Sequence, residues 1–455
     1  MSFGDGPDGL LTNKDVSEKS HNQPRLFYGW DIIAALFFAT FLSIGARQGF
    51  GVFVKTWEED WAVSTAAISF AAAIGTLVNG FSQPVFGWLT DKFGGRPVLL
   101  ASFFVTGLAT AGVATISSVL GLMVLYGFII SFSSGGIGFQ TTGVIVARWF
   151  EKKRGVAMAV LVSGGSVGGL VFVPFLSYLL IEVGWQLAWI ITGLIALLIG
   201  IPLLLIVVKS KPDDIGLTID GVDPNSEEGL HGSADAVGPK FVDKWFDALS
   251  SRPIWQLSFG YFVCGITTTS IGVHFVRWAN SEDITTGTAA LAFGLLSGIN
   301  AAGVLVVGML SDRFQRKNLL GGVYLLRGLA FLTLIFLPGD IALWAFAVIG
   351  GMSWLATVPL TASLTADVYG VRNLGMLFGL ANMSHAFGGA LAVFLFGWAF
   401  TNWGSYNVPF VVGAFTLLAA GVVCLSISEK TNSVRFNRIS QSNELDSGSV
   451  NAGAS

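Results

Sequence analysis

Gly87-Trp88-Leu89-Thr90-Asp91-Lys92-Phe93-Gly94-Gly95-Arg96 closes one long apolar run of this chain, and Gly308-Met309-Leu310-Ser311-Asp312-Arg313-Phe314-Gln315-Arg316-Lys317 closes another 221 positions later. The same offset pairs Asn79 with Asn300, a rare polar residue in each of the preceding apolar runs. A pattern that repeats in register over a run and the turn after it points to a duplicated bundle of membrane helices.

Of the 455 residues, 53% are apolar and only 12% are charged, far from the averages of soluble domains. Long uncharged runs fix helices as the spanning element, because in lipid each peptide group must be satisfied within the segment. Twelve spans follow, at about 29–54, 64–89, 97–116, 119–146, 155–181, 186–208, 253–279, 287–311, 317–337, 341–366, 374–400 and 406–428. A polar insertion at 209–252 links a six-helix bundle over 25–208 to a second over 253–428. Residues 1–24 read as a disordered cytoplasmic leader without a signal peptide's apolar core, and 429–455 as a disordered tail. The predicted fold class is an all-α membrane protein of two pseudo-symmetric six-helix bundles.

Basic loops stay on the cytoplasmic side. Of the 25 Lys and Arg, 21 fall in the leader, the loops after even-numbered spans, the linker or the tail, and only Lys55 lies in an opposite loop. Those opposite loops carry acids instead: Glu58, Glu59, Asp60, Glu182, Glu282, Asp283 and Asp340. Both termini are therefore expected in the cytoplasm, with the chain in the cell membrane. The remaining cations, Arg47, Arg277 and Arg327, lie inside spans.

In each Gly-x-Leu-x-Asp segment the glycine permits close helix contact. The aspartate suits a helix end or a neighbouring arginine, and Arg96, or Arg316 and Lys317, hold the turn at the interface. This pattern resembles the signature loop of the major facilitator superfamily, and the resemblance extends from Arg25 to about Lys430. It implies a gating role for Gly87, Asp91, Arg96, Gly308, Asp312, Arg313 and Arg316, as a latch between the halves. An ordinary interfacial turn with solvated charges is the alternative.

The fifth span opens Arg148-Trp149-Phe150-Glu151-Lys152-Lys153-Arg154-Gly155 and continues into Ser163-Gly164-Gly165-Ser166-Val167-Gly168-Gly169. Small residues let helix backbones approach, so this face is expected to slide on the opposite half. An aromatic, a basic cluster and a Gly-rich helix, with Tyr28-Gly29-Trp30 opening the first span, resemble monocarboxylate transporters and the oxalate/formate antiporter group. The resemblance implies an organic-anion carrier. Its charged landmarks are missing, however: Asn300 to Gly308 carries no Asp and Arg pair, Gln48 stands near the first-span lysine position, and Asn382 and His385 occupy the eleventh span in place of a lysine.

Arg47 lies about 25 Å along its helix from Trp30 at about 1.5 Å per residue, and a lipid-facing charge there is costly. It is read as lining an aqueous cavity, with Arg277 on the pseudo-symmetric seventh span. Snorkelling, or pairing with Glu58, Glu59, Glu282 or Asp283, is the competing assignment. Gln48, Asn79, Tyr126, Asn300, Asn382 and His385 complete the candidate substrate contacts; the asparagines serve equally well as helix-to-helix bonds. No Asp or Glu lies deep in a span, so His385 is the proton-coupling candidate. Arg327, mid-span in the ninth segment, is expected to pack on a carbonyl or helix end.

The function expected is secondary transport of a small organic anion of the monocarboxylate kind by alternating access, with protons as the candidate coupling ion and the chain acting as a monomer. A proton-coupled exporter of apolar or cationic compounds and a transporter-like receptor are the alternatives. Cys264 and Cys424 lie inside apolar runs and the four histidines are dispersed, so neither a metal site, a cofactor nor an enzyme's nucleophile is expected. Basic residues form no single stripe, which argues against nucleic acid as a partner.

Overall fold

Peptide groups inside an apolar run have no water to bond, so each run closes its hydrogen bonds internally as helix. The computed structural model describes residues 27–221, 240 and 242–429. The leader, residues 222–239 of the linker and the tail beyond Glu429 lie outside the described residues. Within them run α1 (Gly29–Gln48), α2 (Thr65–Phe93), α3 (Gly95–Gly112) and α4 (Val119–Trp149). The continuous helical stretch Arg154–Val207 turns at Gly184, whose φ of +77° suits glycine alone, and so forms α5 (154–183) and α6 (185–207).

The second half carries α7 (Arg252–Ser281), α8 (Thr286–Ser311) and α9 (Arg316–Phe336). Then come α10, built of Gly339–Gly351 and Thr357–Tyr369, α11 (Leu374–Trp403) and α12 (Asn407–Leu425). The twelve-span all-α reading therefore holds over the described residues.

Three details differ from expectation. The first span ends at Gln48 and passes through a 3₁₀ turn, Gly49–Phe53, into a short helix, Val54–Trp61, which carries Lys55, Glu58, Glu59 and Asp60 on structure read as loop. Trp57, fully buried against Phe50, Phe53 and Trp189, anchors that helix. The tenth span is broken at 352–356, where the Arg327 guanidinium donates to the Ser353 and Trp354 carbonyls that the break frees. The Gly-rich face of α5 packs within its own half: a Cβ on Gly164 would stand 2.5 Å from the Phe37 carbonyl oxygen of α1. The opposite half meets α5 along a different line, with Gly308 of α8 against Gly155 and Ala159 near its start and Asn300 bonded to Ser166 further along.

Helix α1 packs on α5 and α7 on α11, while the halves meet along α2 with α11 and α5 with α8. Parts of the linker are ordered against both bundles. The Asp220 carboxylate accepts from the backbone N–H of Glu151 (3.1 Å) and Lys152 (2.7 Å), and the Lys240 N–H donates to the Val368 carbonyl at 3.2 Å. Burial pushes the Asp220 carboxyl above its usual range despite those bonds.

Candidate functional site

Two constellations stand out, a cavity around Arg47 and a clamp that closes one end of the bundle. Helix α1 places Arg47 in its last turn, half-buried. Among the described residues no carboxylate reaches it as an ion pair. It lines a cavity of about 410 Å³ with Gln48, Thr76 of α2, and Tyr126 and Ser131 of α4. Arg47 and Tyr126 also border a smaller recess toward Thr106, Thr110 and Thr192. One cation ringed by neutral donors and acceptors is a chemical environment for a compact anion.

The remaining predicted contacts scatter. Asn79 donates to the Ser131 carbonyl and the Ser134 hydroxyl, both at 3.0 Å, and accepts from Gln83 at 3.0 Å. Asn300 is buried, accepts from the Leu355 N–H at 2.9 Å and donates to Ser166 at 3.4 Å. Asn382 donates to Phe378 of its own helix. Arg277 is exposed and lies over the Phe400 ring at 4.7 Å, so it neither joins the Arg47 cavity nor pairs with Glu282 or Asp283. His385 approaches the Thr268 hydroxyl at 3.2 Å and packs on Tyr261. Of the eight predicted contacts, Arg47, Gln48 and Tyr126 share the cavity.

At the clamped end, each repeat aspartate caps a helix of the other half. Asp91 accepts from the N–H groups of Gly375 (2.9 Å) and Met376 (2.8 Å) in the first turn of α11. Asp312 accepts from Gly155 (2.7 Å) and Val156 (3.1 Å) in the first turn of α5. Carboxylates there satisfy orphan donors and oppose the positive end of the helix dipole. Behind Asp312 lies a buried network: Arg316 reaches Asp312 at 3.5 Å and Asp367 at 2.5 Å, and Arg154 reaches Asp367 at 3.1 Å. Glu429 accepts from the Arg316 (3.0 Å) and Lys317 (2.9 Å) N–H groups, and burial pushes its carboxyl up.

Not every residue of the repeat reaches across. The Arg96 guanidinium donates to the Leu205 carbonyl of its own half and its backbone N–H to the Ser210 hydroxyl at the start of the linker, and Arg313 is exposed. Arg154, Asp367 and Glu429 escaped the sequence reading as clamp residues, since each lies outside the repeat and meets it only through folding. Hydrogen bonds and ring contacts between the halves, among the described residues, run from this end as far as Asn300 with Ser166 and Phe81 with Phe387.

The close fit of the clamp gives a direct test. A Cβ on Gly375 would stand 2.5 Å from the Gly87 carbonyl oxygen and 2.8 Å from Asp91 Oδ1, distances that force the helices apart. Gly375→Ala is expected to raise the labelling of cysteines introduced at this end several-fold, while Gly298→Ala, where nothing lies within 4 Å, leaves it unchanged.

The family model described as Major Facilitator Superfamily matches residues 36–392 and again 257–445. The chain is 24% identical to monocarboxylate transporter 13 of Rattus norvegicus, covering 88% of this chain and 91% of that one. It is 25% identical to the oxalate:formate antiporter of Oxalobacter formigenes over 83% of this chain and 86% of the relative. Among solved structures, the human organic anion transporter MFSD10 superposes with a TM-score of 0.67 at 17% identity, over 87% of this chain and 99% of that one, a likeness of fold.

Proposed function

We propose that this chain, which belongs to the Major Facilitator Superfamily and is an integral membrane transporter, moves a small carboxylate by alternating access. The observation that carries the proposal is Arg47, a guanidinium with no carboxylate partner among the described residues, lining a cavity of about 410 Å³ beside Gln48 and Tyr126. A bound carboxylate would receive two parallel N–H bonds from that fork. The organic-anion character of the named relatives supports the same substrate class.

In this reading the bundles over 25–208 and 253–428 rock against each other and expose the cavity, lined by the first bundle, to either side in turn, with both termini and the clamp cytoplasmic. Asp91 and Asp312 act as gates, because their caps form across the two seams and must part for the cavity to face inward. Coupling to protons compensates the substrate's charge. Proteoliposomes offered labelled lactate, pyruvate, oxalate and larger organic acids, with and without an imposed pH gradient, are expected to accumulate at least one small acid. Accumulation of none of them would refute the assignment.

A further inference from the structure

Arg327 of α9 is fully buried and, among the described residues, has no carboxylate partner. Its guanidinium bonds the Ser353 and Trp354 carbonyls and reaches Cys264 Sγ of α7 at 3.2 Å, and its Nε has no acceptor. A buried cation with neutral partners alone is costly, so an anion beside it would be stabilised. Around Cys264 stand Tyr261 on its own helix, Tyr324 and Arg327 from α9, Thr357 from α10 and His385 from α11, with Cys424 of α12 beyond them beside Tyr324. No carboxylate is among them. A thiol ionises before a phenol, with reference values of about 8.5 against about 10, and only Cys264 lies in hydrogen-bond contact with the guanidinium.

We infer that Cys264, held between Arg327 and His385, is the group that binds and releases the transported proton, a reading that rests on the carrier function proposed above. His385 contacts the thiol and is half-buried, whereas Cys264, Tyr261, Tyr324 and Arg327 are fully buried. Protons enter through its imidazole. An N–H bond of the imidazolium breaks, the S–H bond forms, and His385 returns to its neutral form. With the thiolate neutralised, the charge of Arg327 is no longer compensated, and the cluster favours an anion in the carrier. Deprotonation restores the internal ion pair and removes that attraction.

The two cysteines of the chain make the state of the thiol directly readable. Infrared titration of the purified protein from about pH 5 to about pH 9, a range around the reference thiol value, is expected to remove about half of the S–H stretching intensity. Cys264→Ser removes that titrating half, and Arg327→Gln keeps both thiols protonated. Both S–H bands persisting across the range in the wild type would overturn the inference. In proteoliposomes, Cys264→Ser is expected to exchange labelled lactate across the membrane yet to reach only the equilibrium level when a pH gradient is imposed; accumulation matching the wild type would also overturn it. A wild type that exchanges none of the acids tested refutes the carboxylate assignment instead, and the infrared titration still decides whether Cys264 holds the proton.

Discussion

Replacing Arg47 by Gln is expected to abolish the proposed carboxylate uptake, with a loss of about 100-fold to about 10,000-fold in affinity. The estimate follows from two charge-assisted hydrogen bonds at about 1.5–3 kcal/mol each. Stability should scarcely change, because Arg47 gives up no ion pair when it is removed. Substrate affinity and the melting temperature of the purified protein therefore separate, the first collapsing and the second holding. Arg47→Lys restores a point charge without the planar fork and is expected to recover only part of the affinity. Uptake by Arg47→Gln at the wild-type level would remove the anion assignment, leaving the twelve-helix fold untouched.

The second large effect lies at the clamp. Asp367 stands between Arg154 and Arg316, and all three are buried. Asp367→Asn keeps the shape but leaves two guanidinium groups facing each other without their shared anion. Removing one partner from such a group costs about 3–5 kcal/mol. A pronounced fall in melting temperature is expected, with greater chemical access to residues at the clamped end. Asp243→Asn is the control, since the Arg372–Asp243 pair is solvent-exposed and pairs of that kind contribute about 0–1 kcal/mol. Equal melting temperatures for the two variants would show that the buried network does not hold the clamp.

Much of the architecture was legible because lipid imposes a rule that the chain must obey residue by residue. Apolar length gave the spans, and the duplicated Gly-x-Leu-x-Asp segments gave the two halves. The break in α10 was not legible, since no proline or charge marks 352–356; the Arg327 guanidinium that satisfies the freed carbonyls comes from another helix. The Gly-rich face of α5 was legible as a close contact, but composition cannot say which neighbour fills it. Arg47 could be singled out by its cost in lipid, whereas Arg277, equally conspicuous, lies over Phe400. The Arg327–Cys264–His385 cluster draws on three helices distant in sequence, and no local spacing announces it.

The two caps at the clamp are alike, yet what stands behind them differs. Asp367 precedes the capped Gly375 by eight positions, and the residue eight positions before Gly155 is Ala147. A methyl group thus occupies one side of the pseudo-symmetry where a carboxylate organises two arginines on the other. Parting α2 from α11 sacrifices backbone hydrogen bonds to Asp91, while parting α5 from α8 also tears apart a desolvated arrangement of four charged side chains. The two seams are consequently unequal in energy, one a weak edge and the other a strong one.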